Sequence, residues 1–162
     1  MSNTLLSGAE ANELYEMLSP QLREKLATFG RSWSAPGGTH LFQHAAVPEH
    51  LIVLHAGKVE IILYSAGKSV SCDFCEAGKV FGMRAIVTGE PQELDVLCIE
   101  PCSVTSFPRD MFLALLKANP EMYSAVVRVL GSDLQIANGI LRNTVHRRSR
   151  SKGSESTRIC VM

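Results

Sequence analysis

The chain has 162 residues, 46% hydrophobic and 20% charged, which suits one globular domain with its own core and excludes a disordered chain. No apolar run approaches the roughly 18 residues of a membrane span, and the N-terminus, MSNTLLSGAEANELYEML, lacks the basic start and apolar block of a signal peptide. The net charge of zero hides an imbalance: residues 1–141 carry 10 Lys and Arg against 15 Asp and Glu, while residues 142–162 carry 6 against 1. An acidic body with a short basic tail does not suit a general nucleic-acid binder. The tail reads as a solvated terminus or as a contact for an acidic surface or phosphates. Five cysteines, an odd number, with no export signal fit a reducing compartment, so a cytoplasmic location is expected.

In Ala9–Leu18 the apolar residues Leu14, Met17 and Leu18 stand at helical spacing, and Pro20 stops them. Ser19-Pro20 then reads as an N-cap and first helical residue. The helix over Gln21–Phe29 has Leu22, Leu26 and Phe29 on one face, and Gly30 closes it. From Pro36 to Pro108 the pattern changes to short apolar runs: THLF, HLIVLH, KVEIILY, SVSCDF, LDVLCI and SVTSF. Turn residues separate them at Pro36-Gly37-Gly38, Ala56-Gly57, Ala66-Gly67, Ala77-Gly78, Gly89-Glu90-Pro91 and Glu100-Pro101. Strands recurring about every ten residues with glycine at the turns predict an antiparallel roll or sandwich of about seven or eight strands.

Past Pro108 the period is helical again. Arg109–Ala118 carries Met111, Phe112, Leu115 and Leu116, and Asn119-Pro120 breaks it. Glu121–Val145 is predicted as one long helix, with Gly131 and Gly139 each weakening it by about 1 kcal/mol against Ala. Its apolar surface exceeds what a small roll can cover, so a second copy of the chain is the predicted cover, giving a homodimer through this helix. The expected fold class is therefore mainly β with flanking α: an antiparallel double-stranded β-helix (a jelly-roll or cupin-like β-roll), N-terminal helices and a long C-terminal helix. One domain is expected over residues 1–148, its long helix spanning about 120–147, with a basic, disordered tail over 149–162.

Cys72-x-x-Cys75 suggests a metal knuckle, but zinc needs two more ligands, and Cys98 and Cys102 stand at unsuitable spacing. His40, His44, His50 and His55 form no His-x-His pair with an acidic partner, so no metal site is predicted. No nucleophile-elbow Gly-x-Ser-x-Gly or other enzyme motif appears, and the chain is read as non-enzymatic. Cys160 is third from the end rather than fourth, so it is not a prenylation box.

Four further segments stand together: LSPQLREKLATF, APGGTHLFQHAAVPEHLIVLHAGKVEI, EAGKVFGMRAIVTGEP and FPRDMFLALLKANPEM. They contain, in order, Gly-x-x-Leu-Phe, Leu-x-x-Gly-x-Val, Gly-x-x-Phe-Gly and Pro-Arg-x-x-Phe. In these marks the chain, from about Leu18 to Val145, resembles the cyclic nucleotide-binding domain of the catabolite-activator type, the sensory half of bacterial CRP/FNR regulators. The resemblance implies a ligand inside the roll and a short helix after Phe-Gly whose free N–H groups face a cyclic phosphate. The matching segment is Phe81, Gly82, Met83, Arg84 and Ala85, running on to Val87.

Two anchors of that family are replaced. Where the family has a glutamate that accepts from the ribose hydroxyl, this chain has Met83. Where it has a phosphate-binding arginine after the Gly-x-Pro turn, this chain has Gln92, followed by Glu93 and Leu94. Losing a charge-assisted phosphate contact costs about 1.5–3 kcal/mol. Arg84 is a candidate substitute for the missing cation. Asn138 on the long helix is the candidate purine contact, having both a donor and an acceptor.

The resemblance thus implies a non-catalytic regulatory sensor with a degenerate phosphate-binding cassette. No certain cofactor follows; a cyclic nucleotide, bound weakly or atypically, or another small anionic effector is the expected ligand class. Its signal would pass through the paired helices. The alternative is a stand-alone protein-interaction module with a vestigial pocket and a protein partner. The family's full regulators add a helix-turn-helix domain, and about 15 residues past the long helix cannot hold one. No direct DNA binding and no membrane contact are therefore expected, and the chain is either a stand-alone sensor or a fragment of a longer regulator.

Overall fold

The computed structural model describes residue 12, residues 14–65 and residues 67–134. A 3-10 turn over Tyr15–Met17 leads into helix α1, Pro20–Ala27. The Ser19 hydroxyl accepts from the Leu22 N–H at 3.3 Å, and Pro20 takes the first turn, where its missing N–H costs nothing. The described part of the segment expected as a first helix is thus only this single turn. Asn12 Oδ1 caps it by accepting from the N–H groups of Leu14 and Tyr15.

Eight strands follow among the described residues: β1 Arg31–Ala35, β2 His40–Phe42, β3 His50–Ala56, β4 Val59–Ser65, β5 Lys68–Cys75, β6 Val80–Phe81, β7 Leu94–Cys98 and β8 Cys102–Pro108. They form two four-stranded antiparallel sheets, ordered β1-β8-β3-β6 and β2-β7-β4-β5. Consecutive strands largely alternate between the sheets, as in a jelly roll. The short helix α2, Met83–Thr88, lies between β6 and β7, and α3, Arg109–Ala118, follows β8 directly. A 3-10 turn at Pro120–Met122 then opens α4, helical over residues 123–134. The remainder of the expected long helix, with Asn138, lies outside the described residues, as does the tail. No helix among the described residues is long and apolar enough to cross a membrane.

Two hydrophobic cores result. Leu51, Val53 and Phe107, on one face of the first sheet, pack with Leu22, Leu26, Phe112, Leu116 and Val129 from the helices. Ile52, Leu54 and Val104, on its other face, meet Phe42, Val59, Ile61 and Val96 of the second sheet. Strand β3 feeds both cores at once, which is why HLIVLH is an unbroken apolar run rather than an alternating one. Each such buried side chain contributes about 1.5–3 kcal/mol.

One irregularity positions the site. Between β2 and β7, His40 pairs with Leu97 but Phe42 pairs with Val96, so two steps on β2 meet one on β7. This β-bulge turns His40 and Phe42 to opposite faces of the sheet, although alternation alone would put them on the same face. Phe42 enters the core between the sheets, and His40 reaches the outside.

Candidate ligand-binding site

The cassette begins at Gly82, which N-caps α2 at φ +92°. A side chain there would begin 2.9 Å from the Phe42 ring, so glycine is required by both the backbone and the packing. Phe81, just before it, is buried between the sheets. Met83 turns the other way: it is 0% exposed and packs in the helix-side core with Ile86, Phe112 and Leu116. Ala85 is also fully buried. Gly89 ends α2 in a left-handed cap, its N–H donating to the Ala85 carbonyl at 2.8 Å.

Arg84 stays at the surface. Its guanidinium donates to Glu90 at 2.7 Å and to the Pro91 carbonyl at 2.9 Å, bracing the turn that follows α2. Thr88 donates to the Arg84 carbonyl at 2.8 Å and accepts from the Glu90 N–H at 3.2 Å. From α3, Arg109 Nε donates to the Ile86 carbonyl at 2.9 Å and holds the far end of α2 against the helices. Gln92 is fixed by its backbone: its N–H donates to the Ala46 carbonyl, and its carbonyl accepts from the Ala45 N–H. Ala45 sits at φ +67°, a conformation costing about 1–3 kcal/mol in a non-glycine residue. These two hydrogen bonds hold it there. Glu93 is exposed, and Leu94 packs half-buried against the inter-sheet core.

Beside the cassette the space between the sheets opens into a groove of about 820 Å³. Trp33, Phe42, Ile52, Phe29, Pro48 and Pro108 supply most of its apolar lining. The Trp33 indole N–H donates to Ser106 Oγ at 2.8 Å, which sets the ring's orientation. Of the described residues singled out from the sequence as ligand contacts, Gln92 lines this groove and the others do not. The structure therefore divides them: Phe81, Met83, Ala85 and Leu94 face cores, Arg84 and Glu93 face outward, and Gln92 alone faces open space.

Sequence reading missed a polar cluster on the outer face of the second sheet. Asp95, 4% exposed, accepts from Tyr64 Oη at 2.6 Å and from the His44 N–H at 2.6 Å, with His40 Nδ1 at 3.9 Å. The His44 ring lies over Tyr64 at 4.9 Å. Burial alone would raise the carboxyl's pKa, but these hydrogen bonds and the nearby imidazoles outweigh it and hold it below its usual value. A carboxylate inside the apolar run LDVLCI was the available signal. Elsewhere, His55 meets Thr105 Oγ1 at 2.7 Å and its burial lowers its pKa. Burial and the neighbouring Cys102 push the Cys98 thiol up to about 12, as for an inert core cysteine. Among the described residues, no group of three or more His, Cys, Asp or Glu side chains is placed to hold a metal ion.

The sequence pattern of the cyclic nucleotide-binding domain matches residues 33–119, more than half of the chain. A search of curated proteins finds no match. Among solved structures, the catabolite activator protein of Thermus thermophilus is similar at 18% identity and a TM-score of 0.68, covering 81% of this chain and 62% of that one. The sensor domain of the transcriptional regulator DNR from Pseudomonas aeruginosa matches at 16% identity and a TM-score of 0.64, covering 92% of this chain and 97% of that one. A mutant regulatory subunit of a cAMP-independent protein kinase A from Trypanosoma brucei, bound to cAMP in its A site, matches at 16% identity and a TM-score of 0.69, covering 82% and 46%. The chain thus spans less than two thirds of the length of the catabolite activator protein and of the kinase subunit. At these identities the structures establish the shared β-roll, and the matched pattern adds the family: the chain belongs to the cyclic nucleotide-binding domain family.

Proposed function

We propose that the chain is a non-catalytic regulatory sensor domain in which the grip on a cyclic phosphate is weakened or lost, and which acts as a homodimer through its C-terminal helix. One observation carries the reading. Arg84, the sole cation of the cassette between Gly82 and Leu94, is tied to Glu90 and Pro91 at the surface, and Gln92 offers an uncharged amide instead. A phosphate there would forgo a charge-assisted contact of about 1.5–3 kcal/mol. Met83, buried toward the helices, offers no acceptor to a sugar hydroxyl. The name of the similar kinase subunit gives a precedent, since it describes a cAMP-independent protein of this fold.

The relay has a physical route. Lys79, just before β6, pairs with Asp133 of α4 at 2.5 Å, and Arg109 joins α2 to α3. A ligand that favours one placement of α2 would therefore bias α4, provided its affinity differs between the two placements. Tyr123, Val127 and Leu134 of α4 are exposed at helical spacing, as a helix pair would require. A protein-interaction module with a vestigial pocket is the second reading, favoured by the Phe42 ring, which fills the space in front of Gly82.

Calorimetric titration with cyclic AMP and cyclic GMP tests this. The unaltered protein is expected to show no saturable binding below about millimolar ligand, and Gln92→Arg to gain about tenfold or more in affinity for cyclic AMP. Micromolar binding by the unaltered protein would overturn the proposal.

A further inference from the structure

We propose that the open end of the inter-sheet space is a ligand site in its own right, distinct from the phosphate cassette, and that it takes a neutral, planar heteroaromatic molecule. This goes beyond the sensor reading and does not depend on it, since the groove lies on the β1–β2 side of Phe42 and shares only Gln92 with the ligand contacts inferred from the sequence.

Three observations converge. The first is shape. The groove's volume, about 820 Å³, lies within the range of small-molecule pockets. Its lining includes two aromatic rings held in place, Trp33 by Ser106 and Phe42 by its seat on Gly82. Fixed rings present flat faces without an ordering cost, which favours a planar guest.

The second is available polarity. Gln43 and His50, exposed to solvent, and the half-buried Gln92 line the groove with side chains that have no hydrogen-bond partner among the described residues and can exchange water for a ligand. Both amides carry donors and an acceptor, which suits the mixed donor and acceptor edge of a heteroaromatic ring. The third is charge. Arg31 and Glu49, both exposed, supply one charge of each sign, so with its histidines neutral the groove carries no net charge to favour an anion over a neutral guest.

The protein carries its own probe. Trp33 is the only tryptophan in the chain and lines the groove, so indole fluorescence reports occupancy directly. The full chain is titrated with adenosine and with caffeine, both neutral and planar, and with AMP as the charged counterpart of adenosine. Saturable quenching by at least one neutral probe is expected, with AMP about tenfold weaker than adenosine. Gln43→Leu, at an exposed loop position, should weaken the binding about tenfold. Ala46→Phe, which places bulk in the groove, should abolish it. Arg84→Ala, confined to the cassette, should leave it unchanged. Circular dichroism of each variant confirms folding, and the exposed Gln43→Leu remains informative if Ala46→Phe does not fold. The proposal is overturned by quenching that rises linearly for both neutral probes, as with free tryptophan. It is equally overturned by AMP binding as tightly as adenosine, or by Gln43→Leu binding as the parent does. Calorimetry with cyclic AMP reports on the cassette separately, so the two readings can fail independently.

Discussion

The cassette and the groove meet at Phe42 and Gln92, but they dispose of their polar groups in opposite ways. In the cassette Arg84 is tied to Glu90 and Pro91, Thr88 bonds back to the Arg84 carbonyl, and Arg109 takes the Ile86 carbonyl. In the groove, Gln43, Gln92 and His50 have side chains with no hydrogen-bond partner among the described residues. A segment whose charges are matched internally gains little by meeting an anion, because a ligand must first displace those contacts. Solvent-accessible amides beside aromatic walls can exchange water for a ligand. The family's signature and the open groove are therefore adjacent but separate places.

Substitutions can break or sharpen this contrast. The largest expected effect is from Met83→Glu, which would restore the family's sugar-binding acid by type. Because Met83 is fully buried toward the helices, the change should cost about 4 kcal/mol through an unpaired charge in an apolar core. A urea midpoint unchanged by Met83→Glu would mean that the residue faces the ligand after all. Gly82→Ala comes next, at about 3 kcal/mol, from a left-handed backbone and a Cβ pressed against Phe42. Pairing it with Phe42→Leu should recover part of the loss if the contact contributes as described.

Asp95→Asn is smaller, about 1–2 kcal/mol at neutral pH, because the carboxylate's charge-assisted hydrogen bonds weaken. The folded-state pKa of Asp95 is depressed, so its stabilisation is present above the unfolded value near 3.9 and is lost as pH falls below it. The gap between the parent and Asp95→Asn should thus close in acid, as urea midpoints at pH 7 and pH 3 would reveal. Least of all, Arg84→Ala removes an exposed pair and should cost about 0.5 kcal/mol, with no change in cyclic AMP binding. If adding Arg84→Ala to Gln92→Arg removed the cyclic AMP affinity that Gln92→Arg gains, Arg84 would have left Glu90 to grip the phosphate.

The roll itself was legible because six of its strands are apolar runs separated by turns that bear glycine or proline. Strand β1 was not: RSWSA has three polar positions, and Ser32 spends its hydroxyl on Thr105 at 2.8 Å, across the sheet. Strand β6 has only two residues, too few for any period. The cassette was legible as a stretch of chain but not as an arrangement. That Met83 points to the helices depends on the left-handed turn at Gly82, and Arg84 finds its acid across a turn that no periodicity reports. The histidines read as scattered in sequence, yet the bulge at Leu41 sends His40 toward Asp95, where the His44 N–H already donates. The groove was invisible for a simpler reason: β1, β2, β8 and the 43–50 loop contribute to it from distant parts of the chain.

Gly82 bears on how such domains are recognised. The space in front of it belongs to Phe42, a residue of the protein rather than of any ligand. The demand for glycine at this position comes from folding, and it would stand whether or not a nucleotide ever entered the roll. A glycine here is thus a requirement of the frame, and its presence in a sequence is not by itself a sign of nucleotide sensing.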